Sequence, residues 1–214
     1  MALVEGRCSM TDYFALLNEP RRPWVDPDLL KTRFLELSAE VHPDRVHGAP
    51  EEEKRRAHQR YLELNSAYNC LREPKMRLRH LLELESGRRL REIQPIASGG
   101  MDLFLEIGQL CRGADSFLAE RAKVTSPLLR VGMFERAQDW IDKLNAARRT
   151  LVQKQEELSA ELKRMNLAWE EAPAAGPARS SSLPMLQLER LCRDLSYLGR
   201  CVAQIQERIT QLSF

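Results

Sequence analysis

The stretch LELSAEVHPDR at residues 35–45 decides the fold of the first half of this 214-residue chain. Upstream of its His-Pro-Asp tripeptide, apolar residues recur at intervals of four, three and four, which is the period of an amphipathic helix. These residues are Leu30, Phe34, Leu37 and Val41. Because a proline pushes the preceding residue out of the α region, we predict that this helix ends just before Pro43.

A second amphipathic helix is predicted on the other side of the tripeptide. It begins near Glu51, where three successive acidic residues suit the positive end of the helix dipole. Its apolar stripe is Ala57, Tyr61, Leu64, Tyr68 and Leu71. The upstream helix has Asp26 as its cap and Pro27 at its first position, a favourable start. Two such helices bury their stripes by forming an antiparallel hairpin, with the tripeptide in the connecting loop.

Shorter helices complete an N-terminal helical domain that is predicted over residues 9–85. A short helix is predicted over residues 11–18, capped by Thr11 or Ser9. Another is predicted from Lys75 to Leu84. Its apolar residues are Met76, Leu78, Leu81 and Leu82.

The second half of the chain predicts a three-helix bundle over residues 101–214. Residues 86–100 contain three glycines and a proline, which is typical of a linker. Long helical segments follow at about Met101–Val124, Phe134–Trp169 and Met185–Leu212, the last with a sustained heptad stripe. Residues 172–184 are rich in Ala, Pro and Ser and are predicted to be a flexible, exposed loop. The predicted class is therefore all-α.

Composition excludes several kinds of function. The net charge is +2, and basic runs alternate with acidic ones, which argues against nucleic-acid binding. The five cysteines include no CxxC pair, so we predict no metal site and no disulfide framework. No apolar run reaches the roughly 20 residues that span a membrane, and we expect no cofactor and a cytoplasmic location.

The residues around the tripeptide favour binding over catalysis. The chain has no Walker A, GxSxG or HExxH motif, so we predict no catalytic residue and no enzyme activity. Pro43 stiffens the loop, which reduces the entropy lost on docking. Asp44 offers a carboxylate for an arginine of a partner, and His42 offers an imidazole. The other histidines, His47, His58 and His80, are predicted to lie on the surface.

A His-Pro-Asp tripeptide between two antiparallel helices resembles the J-domain. From about Thr11 to Leu212 the chain resembles the HscB family, also called Jac-type co-chaperones. Further motifs carry this resemblance: Asp12-Tyr13-Phe14, Leu71-Arg72-Glu73-Pro74, and the closing Arg193-Asp194-Leu195-Ser196-Tyr197-Leu198. The resemblance implies a J-domain followed by a bundle. It also implies two partners, a DnaK/HscA-type ATPase chaperone and an IscU-type Fe–S scaffold protein.

The resemblance implies two groups of binding residues. Those for the chaperone are His42, Pro43 and Asp44, with the cations Lys31, Arg33 and Arg45. Those for the scaffold are Met101, Asp102, Leu105, Glu106, Gln109 and Tyr197. Glu36 and Glu40 replace basic residues of many J-domains, and Asp102, Gln109 and Gly113 depart from the family pattern of the scaffold face.

Alternatives stay open at both levels. Met101, Leu105 and Tyr197 are also compatible with a place in the bundle core. The chain is also compatible with a J-protein for a different client, or with a helical adaptor that does not stimulate a chaperone. These readings differ in whether the chain accelerates ATP hydrolysis by a chaperone and whether a scaffold protein adds to that effect.

Overall fold

The computed structural model describes residues 10–42, 45, 48–88, 101–174 and 177–214. Its helices are α1 (Tyr13–Leu16), α2 (Pro27–Glu40), α3 (Glu51–Arg72), α4 (Pro74–Ser86), α5 (Met101–Arg121), α6 (Pro127–Glu170), α7 (Pro177–Ser182) and α8 (Met185–Ser213). These ranges contain no strand, which confirms the predicted all-α class. None of the described helices combines the length and apolarity that a bilayer crossing needs.

Two compact units make up the chain. The first consists of Met1–Glu92 together with Leu162–Glu189, and the second of Ile93–Glu161 together with Arg190–Phe214. Both α6 and α8 therefore contribute residues to both units. The predicted limits at 9–85, 86–100 and 101–214 stay a prediction, and most of the predicted linker lies outside the described residues.

The predicted hairpin is present as α2 and α3. The carboxylate of Asp26 caps α2, accepting hydrogen bonds from the backbone N–H groups of Asp28 and Leu29 at 3.0 and 3.1 Å. The rings of Phe34 and Tyr68 stack between the two helices with centroids 4.4 Å apart. The hairpin packs with α1 and α4 around a core of fully buried side chains: Phe14, Leu30, Leu64, Leu71, Leu78 and Leu81.

The flanking helices differ from the prediction in detail. The cap of α1 is Asp12, so the predicted cap at Thr11 or Ser9 is wrong. Asp12 lies directly before the helix, and its carboxylate accepts hydrogen bonds from the backbone N–H groups of Phe14 and Ala15. Met76, assigned to the apolar stripe of α4, is 45% exposed.

Arg77 of α4 lies buried at the centre of the first unit, with 4% of its surface exposed. Its Nε donates to the carbonyl of Pro23 at 2.8 Å, and its Nη1 donates to the carbonyl of Leu71 at 2.7 Å. Burial lowers the pKa of Arg77 to about 10, so the guanidinium is still protonated at neutral pH. One charged side chain thus connects α4, the end of α3 and the segment before α2.

His80 contradicts its predicted surface position, because it is buried with 6% exposure. Its Nε2 accepts a hydrogen bond from the backbone N–H of Tyr13 at 3.1 Å, and the two rings stack with centroids 4.5 Å apart. An accepting nitrogen carries no proton, so this contact requires a neutral imidazole.

We expect His80 to make the first unit sensitive to acid. Burial is the main cause that lowers the pKa of His80; the charges of Asp12 and Glu83 raise it and that of Arg21 lowers it. The unfolded chain therefore binds a proton on the imidazole of His80 more tightly than the folded chain does. The stabilisation that neutral His80 gives to the fold is complete above the unfolded pKa of about 6.5 and is lost as pH falls through the folded pKa. Urea unfolding at pH 7 and at pH 5 measures this effect. Between these two pH values the free energy of unfolding of the wild type is expected to fall by on the order of 1 kcal/mol more than that of a variant without a titrating side chain at position 80.

The matched variant for this measurement is His80→Gln, whose amide oxygen can accept from the same N–H but does not titrate. It is expected to lose less stability than the wild type between the two pH values. Equal losses in both proteins would assign the acid sensitivity to another group.

The second unit contains α5, most of α6 and most of α8. Helix α6 begins at Pro127, earlier than the predicted Phe134, because a proline in the first turn loses no helical hydrogen bond. Arg121 at the end of α5 donates to the carbonyls of Leu212 and Gln211 at 2.8 and 2.7 Å, which satisfies the C-terminal end of α8. The buried core of the second unit includes Ile107, Ala114, Phe117, Leu144, Leu151, Leu191, Leu198 and Ile205.

The prediction of a flexible, exposed loop over residues 172–184 is wrong in its second half, which forms α7. Arg179 of this helix binds both carboxylate oxygens of Glu85 at 2.8 and 2.9 Å and donates to the carbonyl of Pro173. The Glu85 side chain is 3% exposed and that of Arg179 is 13% exposed, and Leu183 is buried. A bidentate ion pair and one apolar anchor thus attach α7 to the first unit.

Asn166 of α6 makes another attachment within the first unit. Its side-chain amide accepts from the backbone N–H of Trp24 and donates to the Trp24 carbonyl, both at 2.9 Å. The ammonium of Lys163 lies 4.6 Å from the centroid of the Trp24 ring. The last turns of α6 therefore satisfy backbone groups in the segment before α2.

Candidate chaperone-binding loop and scaffold-binding face

The loop between α2 and α3 exposes His42. Its backbone carbonyl accepts a hydrogen bond from the N–H of Arg45 at 2.9 Å. Its imidazole lies edge-on to the ring of Tyr61, with centroids 6.3 Å apart and planes at 87°. Since Tyr61 belongs to the α3 stripe that faces α2, the hairpin itself orients His42. Pro43 and Asp44, the other two predicted residues of the tripeptide, lie outside the described residues.

The three predicted cations differ in their surroundings. Lys31 and Arg45 are exposed, and Arg45 donates to the carbonyl of Ala39 at 3.4 Å, close to the loop. Arg33 is partly exposed, but its Nη1 lies 3.0 Å from the carboxylate of Glu19. Lys31 and Arg45 are therefore better presented to a partner than Arg33 is.

Glu19 is a buried carboxylate that sequence reasoning missed. Its side chain is fully buried and also pairs with Arg22 at 3.0 Å. The guanidinium of Arg33 additionally donates to the carbonyl of Asn18, which has a positive φ of 53°. Two arginines around one buried acid fix the turn after α1 against α2. The local sequence offered only a weak signal, an acid shortly before two adjacent arginines.

The predicted scaffold-binding residues of α5 form one solvent-facing stripe. Asp102, Leu105, Glu106 and Gln109 are all exposed, at the three- and four-residue spacing of a single helix side. Leu105 is 56% exposed, which excludes the alternative that places it in the bundle core. The structure does not describe the side chain of Met101.

Tyr197 of α8 is partly exposed and contacts α5 through Phe104. The two ring centroids are 4.1 Å apart, with planes tilted by 57°. The guanidinium of Arg200 lies 5.1 Å from the Tyr197 centroid. Phe104 was not among the predicted site residues, although it is an aromatic residue directly before Leu105 in the sequence. Tyr197 therefore combines packing against α5 with a surface edge.

The structure explains why position 113 holds a glycine, where the family resemblance often implies an acid. A methyl group on its α carbon would lie 2.5 Å from Cη2 of Trp140 on α6. The rigid indole ring cannot yield as a flexible chain end would. Trp140 therefore occupies the space that a side chain at position 113 would need.

We expect Gly113→Ala to destabilise the second unit by about 1 kcal/mol. The overpacking cost of roughly 1–3 kcal/mol exceeds the gain of about 1 kcal/mol from replacing a helical glycine. Gly199→Ala is the matched control, because a methyl group there meets nothing within 4 Å, and it is expected to stabilise. Urea unfolding measures both, and a stabilised Gly113→Ala protein would contradict the packing argument.

An exposed histidine in the loop of a helical hairpin, followed by three longer helices, is the arrangement that the sequence motifs predicted for a J-domain with a C-terminal bundle. No family model matches the chain. A stretch of 73 residues is 42% identical to a co-chaperone protein HscB homolog of Azoarcus sp. (strain BH72), covering 34% of this chain and 41% of that relative. The chain thus spans well under half the length of this curated relative.

The fold as a whole is similar to two solved HscB structures. The chaperone HscB from Vibrio cholerae matches with a TM-score of 0.54 and 21% identity, over 94% of this chain and 99% of that chain. The human co-chaperone protein HscB matches with a TM-score of 0.60 and 19% identity, over 93% and 82%. The resemblance to HscB-type co-chaperones that the sequence motifs predicted is confirmed.

Proposed function

We propose that this chain is a cytoplasmic co-chaperone that stimulates ATP hydrolysis by a DnaK/HscA-type chaperone and brings an Fe–S scaffold protein to it. The observation that carries the proposal is that His42 is exposed between α2 and α3 and that its imidazole lies against the ring of Tyr61. A group held in this way loses little freedom when it docks.

In this proposal the hairpin acts by binding and contributes no reacting group. His42 and the adjacent Pro43 and Asp44 enter the interface with the chaperone, while Lys31 and Arg45 supply exposed positive charge beside the loop. Such charge accelerates encounter with an acidic surface and fixes its orientation. The chaperone carries out the hydrolysis, so the chain itself is not an enzyme.

The scaffold protein is proposed to dock on the exposed stripe of α5. Leu105 offers an apolar contact, and Asp102 and Glu106 offer carboxylates on the same side. Gln109 and the partly exposed Tyr197 extend the stripe, and Met101 begins the helix. An exposed leucine with acids beside it suits a partner that combines an aliphatic residue with basic ones.

A second candidate is a J-protein with a different client, and the surroundings of Gly113 favour it. Trp140 fills the space beside Gly113, and Gln109 is neutral, so this part of α5 has fewer negative charges than the family pattern implies. A client that pairs with fewer acids would suit such a face.

The test measures the steady-state ATPase rate of the host's DnaK-like chaperones, alone, with this protein, and with the host's IscU-type scaffold added. We expect stimulation by the chain and a further increase with scaffold. The matched variant Leu105→Glu changes an exposed residue, so it should fold normally, keep the basal stimulation and lose the increase. Stimulation that scaffold never changes would identify another client, and no stimulation of any chaperone would leave a helical adaptor.

A further inference from the structure

A small cavity opens between α5 and α6 within the second unit. Its volume is about 120 Å³, and it is lined by Leu103, Glu106, Ile107, Leu110, Ala147 and Thr150. Neither Ala147 nor Thr150, the two lining residues from α6, was among the site residues predicted from the sequence. The cavity adjoins the exposed stripe of α5, because Glu106 belongs to both.

The lining of the cavity suits an apolar guest. Its floor is the buried Ile107, and Leu103, Leu110 and Ala147 form partly exposed walls. An apolar cavity of about 150 Å³ excludes water and accepts a guest as large as benzene. A volume slightly smaller than that fits one aliphatic side chain, namely that of leucine, isoleucine or valine.

The mouth of the cavity carries negative charge. Glu106 is exposed at the rim, and Asp102 lies one helical turn before it. Neither carboxylate belongs to an ion pair within the described part of the chain, although many other acids do. A lysine or arginine next to the inserted side chain would therefore find a carboxylate to pair with.

We propose that this cavity seats one aliphatic side chain of the Fe–S scaffold protein, carried beside a lysine or arginine that pairs with Glu106. The proposal rests on the function proposed above and adds residues of α6 to the docking surface. Ala147 and Thr150 then determine how large a side chain the surface accepts. The cavity provides an anchor point, while the exposed stripe of α5 provides the surrounding contacts.

The test compares Ala147→Leu with Ala146→Leu in the full chain. The first substitution fills the cavity, whereas the second adds the same side chain at the neighbouring exposed position of the same helix. Isothermal titration with the host's IscU-type scaffold is expected to show affinity weakened on the order of tenfold to a hundredfold for Ala147→Leu and within about twofold of wild type for Ala146→Leu.

Further measurements separate this proposal from the function on which it rests. Both variants should stimulate the chaperone like wild type when no scaffold is present, which shows that they fold. Thr150→Leu fills the cavity from its exposed rim and should repeat the loss if Ala147→Leu is unstable. Full scaffold affinity in the filled variants would overturn the cavity proposal alone. A wild-type chain that does not bind scaffold would overturn the proposed function and this inference with it.

Discussion

Replacing Arg77 with methionine is expected to lower the free energy of unfolding by about 3 kcal/mol, a large part of the 5–15 kcal/mol that stabilises a typical domain. Methionine fills a similar volume but donates no hydrogen bond. The buried backbone carbonyls of Pro23 and Leu71 would lose the donor that Arg77 now provides. Because they belong to the backbone, these two acceptors stay in the core whatever the side chain at position 77. Relief of the cost of burying a charge offsets only part of this loss.

Urea unfolding followed by circular dichroism measures the effect of Arg77→Met. Arg77→Lys is the informative control, because it keeps the charge but presents a single nitrogen in place of the guanidinium fork. The free energy of unfolding of Arg77→Lys is expected to lie between that of the wild type and that of Arg77→Met. A methionine variant as stable as wild type would mean that the two carbonyls find other donors and that Arg77 is not essential to the first unit.

Replacing His42 with glutamine is expected to reduce stimulation of the chaperone ATPase by at least about tenfold, to a rate close to that of the chaperone alone. His42 is exposed and its imidazole lies against Tyr61, so the substitution removes a group of the proposed interface without opening the core. The free energy of unfolding should therefore stay within about 0.5 kcal/mol of the wild-type value.

His58→Gln is the control for this experiment, since His58 is an exposed histidine of α3 that has no proposed role. It should stimulate the chaperone like wild type. If His42→Gln also stimulated fully, the loop would not be the chaperone-binding site, even though the fold is that of a J-domain co-chaperone.

The helices of this fold were predictable because each carries its own signal along the chain. Asp26 and Pro27 mark the start of α2, and the acidic run at Glu51 marks the start of α3, where the structure has them. These start signals depend on residues close together in sequence. Leu105 and Glu106 were assigned to a docking face by the resemblance to a known family and not by the helical period, which left Leu105 open between the surface and the bundle core.

The features that were missed depend on residues far apart in sequence. Tyr13 and His80 are 67 residues apart, and Trp24 and Asn166 are 142 apart. A histidine on an apolar helix has no local mark that distinguishes a buried acceptor from a surface residue. Arg179 shows the same limit, because its Ala-, Pro- and Ser-rich neighbours favour a loop, whereas its bidentate partner Glu85 lies far away in sequence.

The first compact unit is discontinuous in sequence, and this has a consequence for how the protein is made. A ribosome completes residues up to Glu92 well before it reaches Leu162–Glu189, which supply Asn166, Trp169 and Leu183 to the same unit. At ordinary rates of translation the delay is on the order of 10 s. During that interval the first unit lacks the hydrogen bonds that Asn166 makes with Trp24 and the ion pair that Arg179 makes with Glu85, although the hairpin of α2 and α3 that orients His42 is already complete.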